Sequence, residues 1–543
     1  MTRGMTNAQF PMKHRGRIAA HLRRAWSLAI GPWSVVCSPW SVVRRPLSVV
    51  LGHWTFCLLA FAVTSSAFAT PLTVDSAIRL ALQNNQSLKV SAFTPEIARA
   101  GVLAESGRFD PAITFRRAYS EGETPVSTTP LVRSLAQTDD YALSLGGLTP
   151  WGLSYNLIAT AENQRGTFNR FADNFVTFGG VSITQPLLRG FGFGANLAGL
   201  RIAKTDRNLA DWQHRQTIID TVTSVILVYN GVVQARENVR IAQLSRGLSA
   251  QLVEQNEKRN RVGQISDADV LQARARLAGR EEAVVLAQRS AADLENQLRR
   301  LMGESSYPVD GPPLEIELLP PLPPLTVNPA ADLKRAYELR PDYQAARLGI
   351  VRRQADSALA RNQLLPRLDF VGSYGHGGVD RDFSTARRQV RQEDTRAYSA
   401  GMVVTIPLTF AEGRGRARAA KLSLRQSEAE LVRVEQGIAI DVAAAAGQIA
   451  STRQRVEATR QALDLSQQSL EAEQKKFTAG SSTTFLVLQA QEQLAQAQSG
   501  HARALADQRR ALANYERELG TTLVNRKIAV EDSTTAGGPG RSR

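Results

Sequence analysis

Residue types that support catalysis or metal binding are few and scattered in this sequence of 543 residues. Downstream of residue 69 the histidines are His214, His376 and His501, and each stands alone. None has the spacing of a metal ligand, and none has a nucleophile placed to work with it. The sequence therefore predicts no catalytic residue, no metal site and no cofactor, and the chain is not expected to be an enzyme.

A glycine-rich segment at 190–194 has the spacing of a nucleotide-binding loop. The run GFGFG follows a strand pattern and precedes a helical one, as in phosphate-binding loops. A second copy at 412–416, EGRGR, retains the glycine spacing and contains nothing specific for phosphate. Strand-to-helix corners are therefore predicted instead of a nucleotide site, and their residues are Pro186, Gly192, Gly194, Pro407, Gly413 and Gly415.

The formal charge of +16 suggests a nucleic-acid partner until its distribution is examined. Residues 1–69 contain eight Lys and Arg and no acid, so the remainder carries 16 − 8 = +8. The other arginines alternate with acids, as where Arg274 and Arg276 precede Glu281 and Glu282. This mixture is typical of a solvated helix face, so no nucleic-acid partner is predicted.

The segment 47–69 has the features of a secretory signal. Two arginines precede a largely apolar run, and Ala67 and Ala69 form a small-x-small cleavage site, which predicts a mature chain beginning at Thr70. A retained anchor is the less favoured reading, because the run is short for a membrane span. Both cysteines, Cys37 and Cys57, lie upstream of this site. Residues 1–69 are thus predicted as a signal region, and its first forty-odd residues, which carry a seven-residue repeat, are interpreted as a spurious extension ahead of the true start.

The rest of the chain contains an internal duplication, found by constant offsets. Residues 110–115 match 365–370 at an offset of 255, and residues 185–187 match 406–408 at 221. Farther on, VLQA at 270–273 recurs at 487–490, at an offset of 217. Offsets that change only in loops, or once within a helix, indicate two copies of one unit. The predicted divisions are a first repeat at 70–303, a proline-rich linker at 304–329, a second repeat at 330–525 and a disordered tail at 526–543.

Each copy is expected to contain helix, strands and helical hairpin. Helices are predicted at 75–106 and 330–362, followed by strands in which apolar residues alternate with small or polar ones, as in 113–119 and 398–408. The first copy has additional alternation from Tyr141 to Leu157. Such alternation over about ten residues suits a membrane barrel strand and equally a half-buried strand of a soluble sheet.

Long helices with coiled-coil seams follow the strands. From Leu197 to Arg261 the sequence contains no proline, and at ~1.5 Å per residue this helix would extend about 100 Å. Apolar residues at 222, 225, 229 and 232 have the 3–4 spacing of a helix seam. By itself this pattern predicts only packing on another helix.

The break in the long helical segment of each copy is the most informative feature. Gly263 is followed three residues later by Ser266, and Gly480 by Thr483, which predicts a glycine cap and then a new N-cap. The motif Gly-x-x-[Ser/Thr]-x-x-Asp-Val-Leu-x-Ala, with Asp269 in the first copy, resembles the periplasmic tip of the TolC-like outer-membrane efflux family. The Asn-Asn or Arg-Pro helix start, the Pro-x-Leu-x-Phe strand entry and the Gln/Ile-Pro-Leu strand exit are similar as well. The likeness covers roughly residues 70–525.

The resemblance implies a mixed α+β fold: a trimeric outer-membrane β-barrel continued by an α-helical periplasmic tunnel, with two repeats per subunit. It implies the outer membrane as the location, with outer-membrane lipid around the barrel. The expected partners are two further subunits, a periplasmic adaptor and an inner-membrane RND or ABC-type transporter. The expected function is a passive exit duct of a tripartite efflux or type I secretion system. The alternative is a soluble periplasmic coiled-coil adaptor or scaffold.

Two expectations concern the assembly and its entrance. Four confident strands are too few to close a barrel, so three subunits would supply twelve, or eighteen if 141–157 forms an added hairpin. The predicted entrance residues are Gly263, Ser266, Asp269, Gly480, Thr483, Leu486 and Gln489. Relatives carry acids where this chain has Leu486 and Gln489, so the entrance is expected to be gated by packing and neutral polar contacts. Asp269 is read equally well as a pore acid or as a helix-start residue.

Overall fold

The structure, a computed structural model, describes residues 71–128, 131–303, 314–317, 322 and 327–529. All of them belong to one compact unit. The predicted signal segment, its cleavage site, most of the linker and the tail beyond residue 529 lie outside the described residues. Of the linker, Ile316 forms a parallel bridge with Leu72, and of the tail, Arg526 pairs with Asp75 at 3.1 Å.

Eleven α-helices and six strands make up the described part of the chain. The helices are α1 Val74–Asn84, α2 Gln86–Ser106, α3 Gly192–Asn196, α4 Ala198–Arg261, α5 Asp267–Met302, α6 Pro329–Leu339, α7 Pro341–Asn362, α8 Phe383–Gln392, α9 Ala411–Thr478, α10 Thr484–Glu518 and α11 Thr522–Asn525. The strands are β1 Ala112–Thr128, β2 Leu131–Leu148, β3 Ser154–Gly166, β4 Phe175–Pro186, β5 Arg367–Asp380 and β6 Thr395–Thr405.

The opening helix of each repeat is divided in two, where the sequence suggested one continuous helix. In the first repeat Asn85 ends α1, and its Oδ1 accepts the Ser87 and Leu88 amides at 2.9 and 3.2 Å, which starts α2. In the second repeat Pro341 starts α7, because proline lacks an N–H and restricts the residue before it to extended backbone. The periodicity is unchanged across each break, which is why the sequence pattern did not reveal it.

Four long helices form two antiparallel hairpins, α4 with α5 and α9 with α10, and α10 also packs on α4. At ~1.5 Å per residue, the 64 residues of α4 span about 96 Å. Helix α4 contains a stretch long and apolar enough to cross a membrane, but 67% of that window is buried inside the protein. The seam predicted at 222–232 is that buried face: Val222, Val225, Tyr229 and Val232 are at most 1% exposed.

The main core lies about midway along α4, where α1, α5 and the Leu72–Ile316 bridge surround Tyr229. Its hydroxyl lies 2.7 Å from the Leu72 carbonyl oxygen and 3.1 Å from that of Glu317, to which it donates. Burial, followed by the nearby Glu317, raises the pKa of Tyr229 to about 12. One side chain therefore joins the long helix to both segments of the bridge.

The six strands form one antiparallel sheet in chain order, β1-β2-β3-β4-β5-β6. The first repeat contributes four strands and the second contributes two, so the alternation from Tyr141 to Leu157 does form an additional hairpin, β2–β3. The final strand ends at Thr405, three residues earlier than the alternation to Leu408 suggested, because the chain turns at Pro407 to enter α9. Both edges of the sheet are open, and all eleven residues of β6 are exposed.

Candidate channel site: the sheet faces, the corners and the helical tips

One face of the sheet is apolar from edge to edge. Residues paired across strands share a face, and one continuous row runs through all six strands: Ile113, Leu145, Leu157, Val181, Tyr374 and Tyr398. Five of these side chains are between 37% and 82% exposed in the single chain. Because these apolar side chains are exposed in the single chain, this face of the sheet must be covered by an apolar medium.

Four tyrosines mark one level on the apolar face. The row that begins at Ile113 ends at Tyr398. Ile113 is one residue from the helical end of β1, whereas Tyr398 is seven residues from the helical end of β6. Each row of paired residues therefore rises away from the helices as it passes from β1 to β6. With a ~40° strand tilt, ~4.8 Å between strands and ~3.3 Å per residue, this climb is about 3 Å per strand. Tyr119, Tyr141, Tyr374 and Tyr398 then lie within roughly 3 Å of one level, as in the aromatic girdles of membrane barrels. This girdle was not predicted from the sequence, although the tyrosines were visible within the strand patterns.

The opposite face is small and polar. The adjacent row consists of Ala112, Gly146, Asn156, Ser182, Ser373 and Ser399. Ser373 and Ser399 hydrogen-bond each other at 2.8 Å, and Arg116 pairs with Asp140 on the same face. An apolar outer face and a hydrated inner face are the two requirements of a strand in a water-filled barrel.

The predicted strand-to-helix corners lie at the helical ends of the strands. Pro186 is the last residue of β4, and the next amide, of Leu187, donates to the Leu368 carbonyl at 2.7 Å. Gly192 has a φ of 83° and starts the short helix α3, which includes Gly194. The Gly190 amide donates to Asn362 Oδ1 at 2.8 Å, a contact between the two repeats.

The second corner has a different geometry despite the matching glycines. Pro407 follows β6, and Phe410, with a φ of 50°, makes the left-handed turn. Gly413 and Gly415 lie inside α9, where they have ordinary helical backbone. A Cβ on Gly413 would approach Leu364 Cδ1 at 3.3 Å, so close packing accounts for this glycine.

The first tip is a short turn between α4 and α5. Gly263 has a φ of 72°, and the next amide, of Gln264, donates back to the Arg259 carbonyl at 2.9 Å, which ends α4. Ser266 then caps α5: Asp269 N donates to its Oγ at 3.3 Å, and its Oγ donates to Asp269 Oδ2 at 2.7 Å. Asp269 is thus held in a capping box within its own chain.

The second tip repeats the turn without the acid. Gly480 has a φ of 80°, and the Thr483 Oγ1 accepts the Leu486 amide at 3.4 Å. Leu486 occupies the position of Asp269 and is 43% exposed, and Gln489 is exposed one turn later. The hydrogen bond from Ser482, assisted by Lys476, lowers the pKa of Glu473 behind the turn.

The structure brings the two tips together. Leu252 of α4 packs with Phe477, Val487 and Leu488, and Asn256 Nδ2 donates to Thr484 Oγ1 at 3.2 Å. Arg259 lies over the Phe477 ring at 4.3 Å. Glu492 sits beside Gln489 in a groove between α10 and α5, and Arg280 of α5 binds it. This ion pair between the two hairpins could not be predicted from the sequence, because neither residue belongs to a repeated motif.

Solved structures with the same fold are outer-membrane channels. The outer-membrane channel OprN aligns with a TM-score of 0.65 and 19% identity, over 82% of this chain and 90% of that one. The CmeC outer membrane channel of Campylobacter jejuni gives 0.64 and 14%, over 84% and 88%. The open state of the MtrE outer membrane channel of Neisseria gonorrhoeae gives 0.59 and 18%, over 84% and 91%. The fold is thus that of a TolC-like outer-membrane channel subunit.

The family is established by the sequence itself. Residues 77–304 and 333–521 match the model of the outer membrane efflux protein family, once for each repeat. The chain belongs to this family. It is a channel subunit of the outer membrane with a periplasmic tunnel, not an enzyme, and it works with other efflux components. No curated protein sequence matches this chain significantly.

Proposed function

We propose that three copies of this chain close one barrel and serve as the passive exit duct of a tripartite efflux or type I secretion system. The observation that supports this best is the sheet: six strands with an apolar face and two unpaired edges. Unpaired backbone groups are not tolerated in the hydrocarbon core, so β6 of one copy must meet β1 of the next. With six strands each, three subunits give a barrel of eighteen.

The first prediction is the trimer. The mass of the purified protein in mild detergent is expected to be three times that of the mature chain, with the helical signal retained. More than one copy is needed because one open six-stranded sheet cannot close around a channel, and three is the number that the family resemblance implies. Mass photometry or native mass spectrometry measures this directly. A stable, helical monomer that inserts into bilayers and conducts would rule the assembly out.

We propose that the tips face the pump side. The hairpins end at Gly263 and Gly480, at the opposite end of the long helices from the sheet. A periplasmic adaptor would contact these ends and connect the duct to an inner-membrane RND or ABC-type transporter. The exposed groove between α5 and α10, which includes Arg276, Phe485 and Gln489, offers charged, apolar and polar contacts for such a partner. Crosslinking from a photoreactive residue at Gln489, in cells, tests whether an adaptor is the neighbour.

The entrance is proposed to lack a strong cation-binding ring. Asp269 contributes one carboxylate per subunit, and it already accepts the Ser266 hydroxyl. Leu486 and Gln489 contribute no charge. Carboxylates crowded around a narrow axis repel one another and bind multivalent cations, so few carboxylates imply weak block.

A substitution that adds acids tests this directly. Leu486→Asp is expected to fold, because with Thr483 it would complete the capping box already present at Ser266 and Asp269. It would add one carboxylate per subunit to Asp267 and Asp269, and trivalent cations are expected to block it at a concentration at least about tenfold lower than wild type, the equivalent of ~1.4 kcal/mol. Single-channel conductance in bilayers measures the block, and Leu486→Asn is the uncharged control. A wild-type channel already blocked at low concentration, with Asp269→Ala leaving that block unchanged, would contradict this account of the entrance.

A further inference from the structure

The short helix α8 lies on the lipid-facing side of the sheet. The row from Phe115 and Leu143 reaches Gly179 in β4, and a Cβ on Gly179 would approach Val390 of α8 at 3.1 Å. The row from Tyr141 reaches Gly378, whose Cβ would collide with the Ala386 carbonyl. Both glycines therefore leave room for α8 on the face that carries the apolar side chains.

Helix α8 is firmly seated there. Ala386 is fully buried, and the Phe383 ring meets Phe175 of β4 edge-on at 5.8 Å. Asp382 caps the helix by accepting the Thr385 amide at 3.0 Å, and the Val379 amide donates to Gln389 Oε1 at 2.8 Å. The apolar contacts with the strands, the Asp382 cap and the hydrogen bond to Gln389 together fix the orientation of α8.

The seating leaves three arginines exposed on the side away from the sheet: Arg387, Arg388 and Arg391. Within the described residues, no side-chain hydrogen bond or ion pair is found for these three arginines, and none joins them to the nearest acids, Asp382, Glu393 and Asp394. Arg387 with Arg391 and Arg388 with Arg391 are like-charge pairs at i,i+4 and i,i+3, an arrangement that is unfavourable without a counter-charge.

The height of α8 identifies the counter-charge. Gly179 lies at the level of the tyrosine girdle, and Gly378 lies above it, on the side away from the long helices. Helix α8, which covers both glycines, therefore sits at the girdle and just above it. Tyrosine girdles lie at the boundary between hydrocarbon and headgroups. The three arginines are therefore at headgroup depth on the outer surface of the barrel, where phosphate groups of the outer leaflet are available.

We propose that Arg387, Arg388 and Arg391 form a binding site for the phosphate groups of a phosphorylated lipid in the outer leaflet of the outer membrane. One guanidinium group can donate two parallel hydrogen bonds to the oxygens of one phosphate. Three such groups on one helix face therefore suit a headgroup that carries two phosphates. The acyl chains of the same lipid would lie along the apolar row below, beside Phe115 and Leu143.

The test is lipid binding to the purified full-length assembly. Native mass spectrometry would count bound diphosphoryl lipid A during a titration, with dephosphorylated lipid A as the second probe. The variant R387Q/R388Q/R391Q is expected to lose at least about tenfold in affinity for the diphosphoryl form, the loss of one or more charge-assisted hydrogen bonds. The matched control R240Q/R246Q/R289Q removes the same charge from exposed arginines of α4 and α5 and should bind as wild type does.

A second variant and a competition experiment test the same site. Gly378→Ala retains all three arginines and forces α8 off its seat, so it should also weaken binding while the assembly stays intact. Inorganic pyrophosphate should not compete, because it lacks the acyl chains. The proposal is overturned if the triple variant binds lipid normally or if pyrophosphate displaces the lipid. It is also overturned if the triple variant falls apart into monomers, which would mean that the arginines pair with acids of a neighbouring subunit instead of with lipid.

Discussion

Met402→Arg is expected to prevent stable insertion of the channel into the outer membrane. Met402 is paired with Phe370 on the apolar face and is 62% exposed in the single chain. An arginine facing lipid costs ~2–4 kcal/mol near the bilayer midplane, and the proposed assembly would incur this cost three times. The amount of trimer in the outer-membrane fraction, seen on unheated gels, measures the effect.

The neighbouring residue supplies the control. Val403 is 49% exposed, and because side chains alternate along a strand, it lies on the polar face with Asp369. Val403→Arg should therefore insert normally, since its guanidinium would lie in water. Equal loss for both variants would mean that the two faces are not distinguished by lipid, and the assignment of the apolar face would be wrong.

Tyr229→Ala is expected to produce the largest loss of stability among single substitutions in the helical part. The side chain is 0% exposed and fills the core around α4. Truncating a buried aromatic residue typically costs ~3–5 kcal/mol, through lost burial and the cavity left behind. The measurement is the temperature at which the helical circular dichroism signal disappears in detergent, compared at one heating rate because unfolding of such assemblies is commonly irreversible.

Tyr229→Phe separates packing from hydrogen bonding. It keeps the ring and removes the hydroxyl that donates to the Leu72 and Glu317 carbonyls, of which Leu72 still accepts the Glu317 amide at 3.2 Å, so a loss of ~1–3 kcal/mol is expected. If the phenylalanine variant is as unstable as the alanine variant, the hydroxyl contacts dominate this core. If the alanine variant is as stable as wild type, the packing account is wrong.

Much of the architecture follows from local rules that the sequence displays directly. Gly263 and Gly480 sit three residues before a hydroxyl residue, and both adopt the left-handed backbone which that spacing implies. The alternation in β2 and β3 was visible, but whether it formed part of the same sheet depended on pairing with β1 and β4, which is not local. The breaks at Asn85 and Pro341 were hidden because the hydrophobic period continues through them.

The candidate site was less predictable, because its properties depend on which elements meet. Asp269 matches a family acid by motif, yet its capping box with Ser266 favours the helix-start role. The glycines at 413 and 415 repeat the spacing of Gly192 and Gly194 but lie within α9, because Phe410 makes the turn instead. Helix α8 carries only a ten-residue amphipathic pattern, and its importance comes from the sheet face that it covers.

The unequal division of strands between the two repeats has an electrical consequence. Barrel diameter grows roughly in proportion to strand number, so eighteen strands make a barrel about half again as wide as twelve, with a cross-section roughly 2.2 times larger. Barrel and tunnel are resistors in series, and resistance falls as the area rises. In the proposed trimer, the added β2–β3 hairpin would thus make the outer-membrane segment a minor part of the total resistance. Ion flow through the open duct of that trimer would then report mainly on the helical tunnel and on the proposed entrance at the hairpin tips, Gly263 and Gly480.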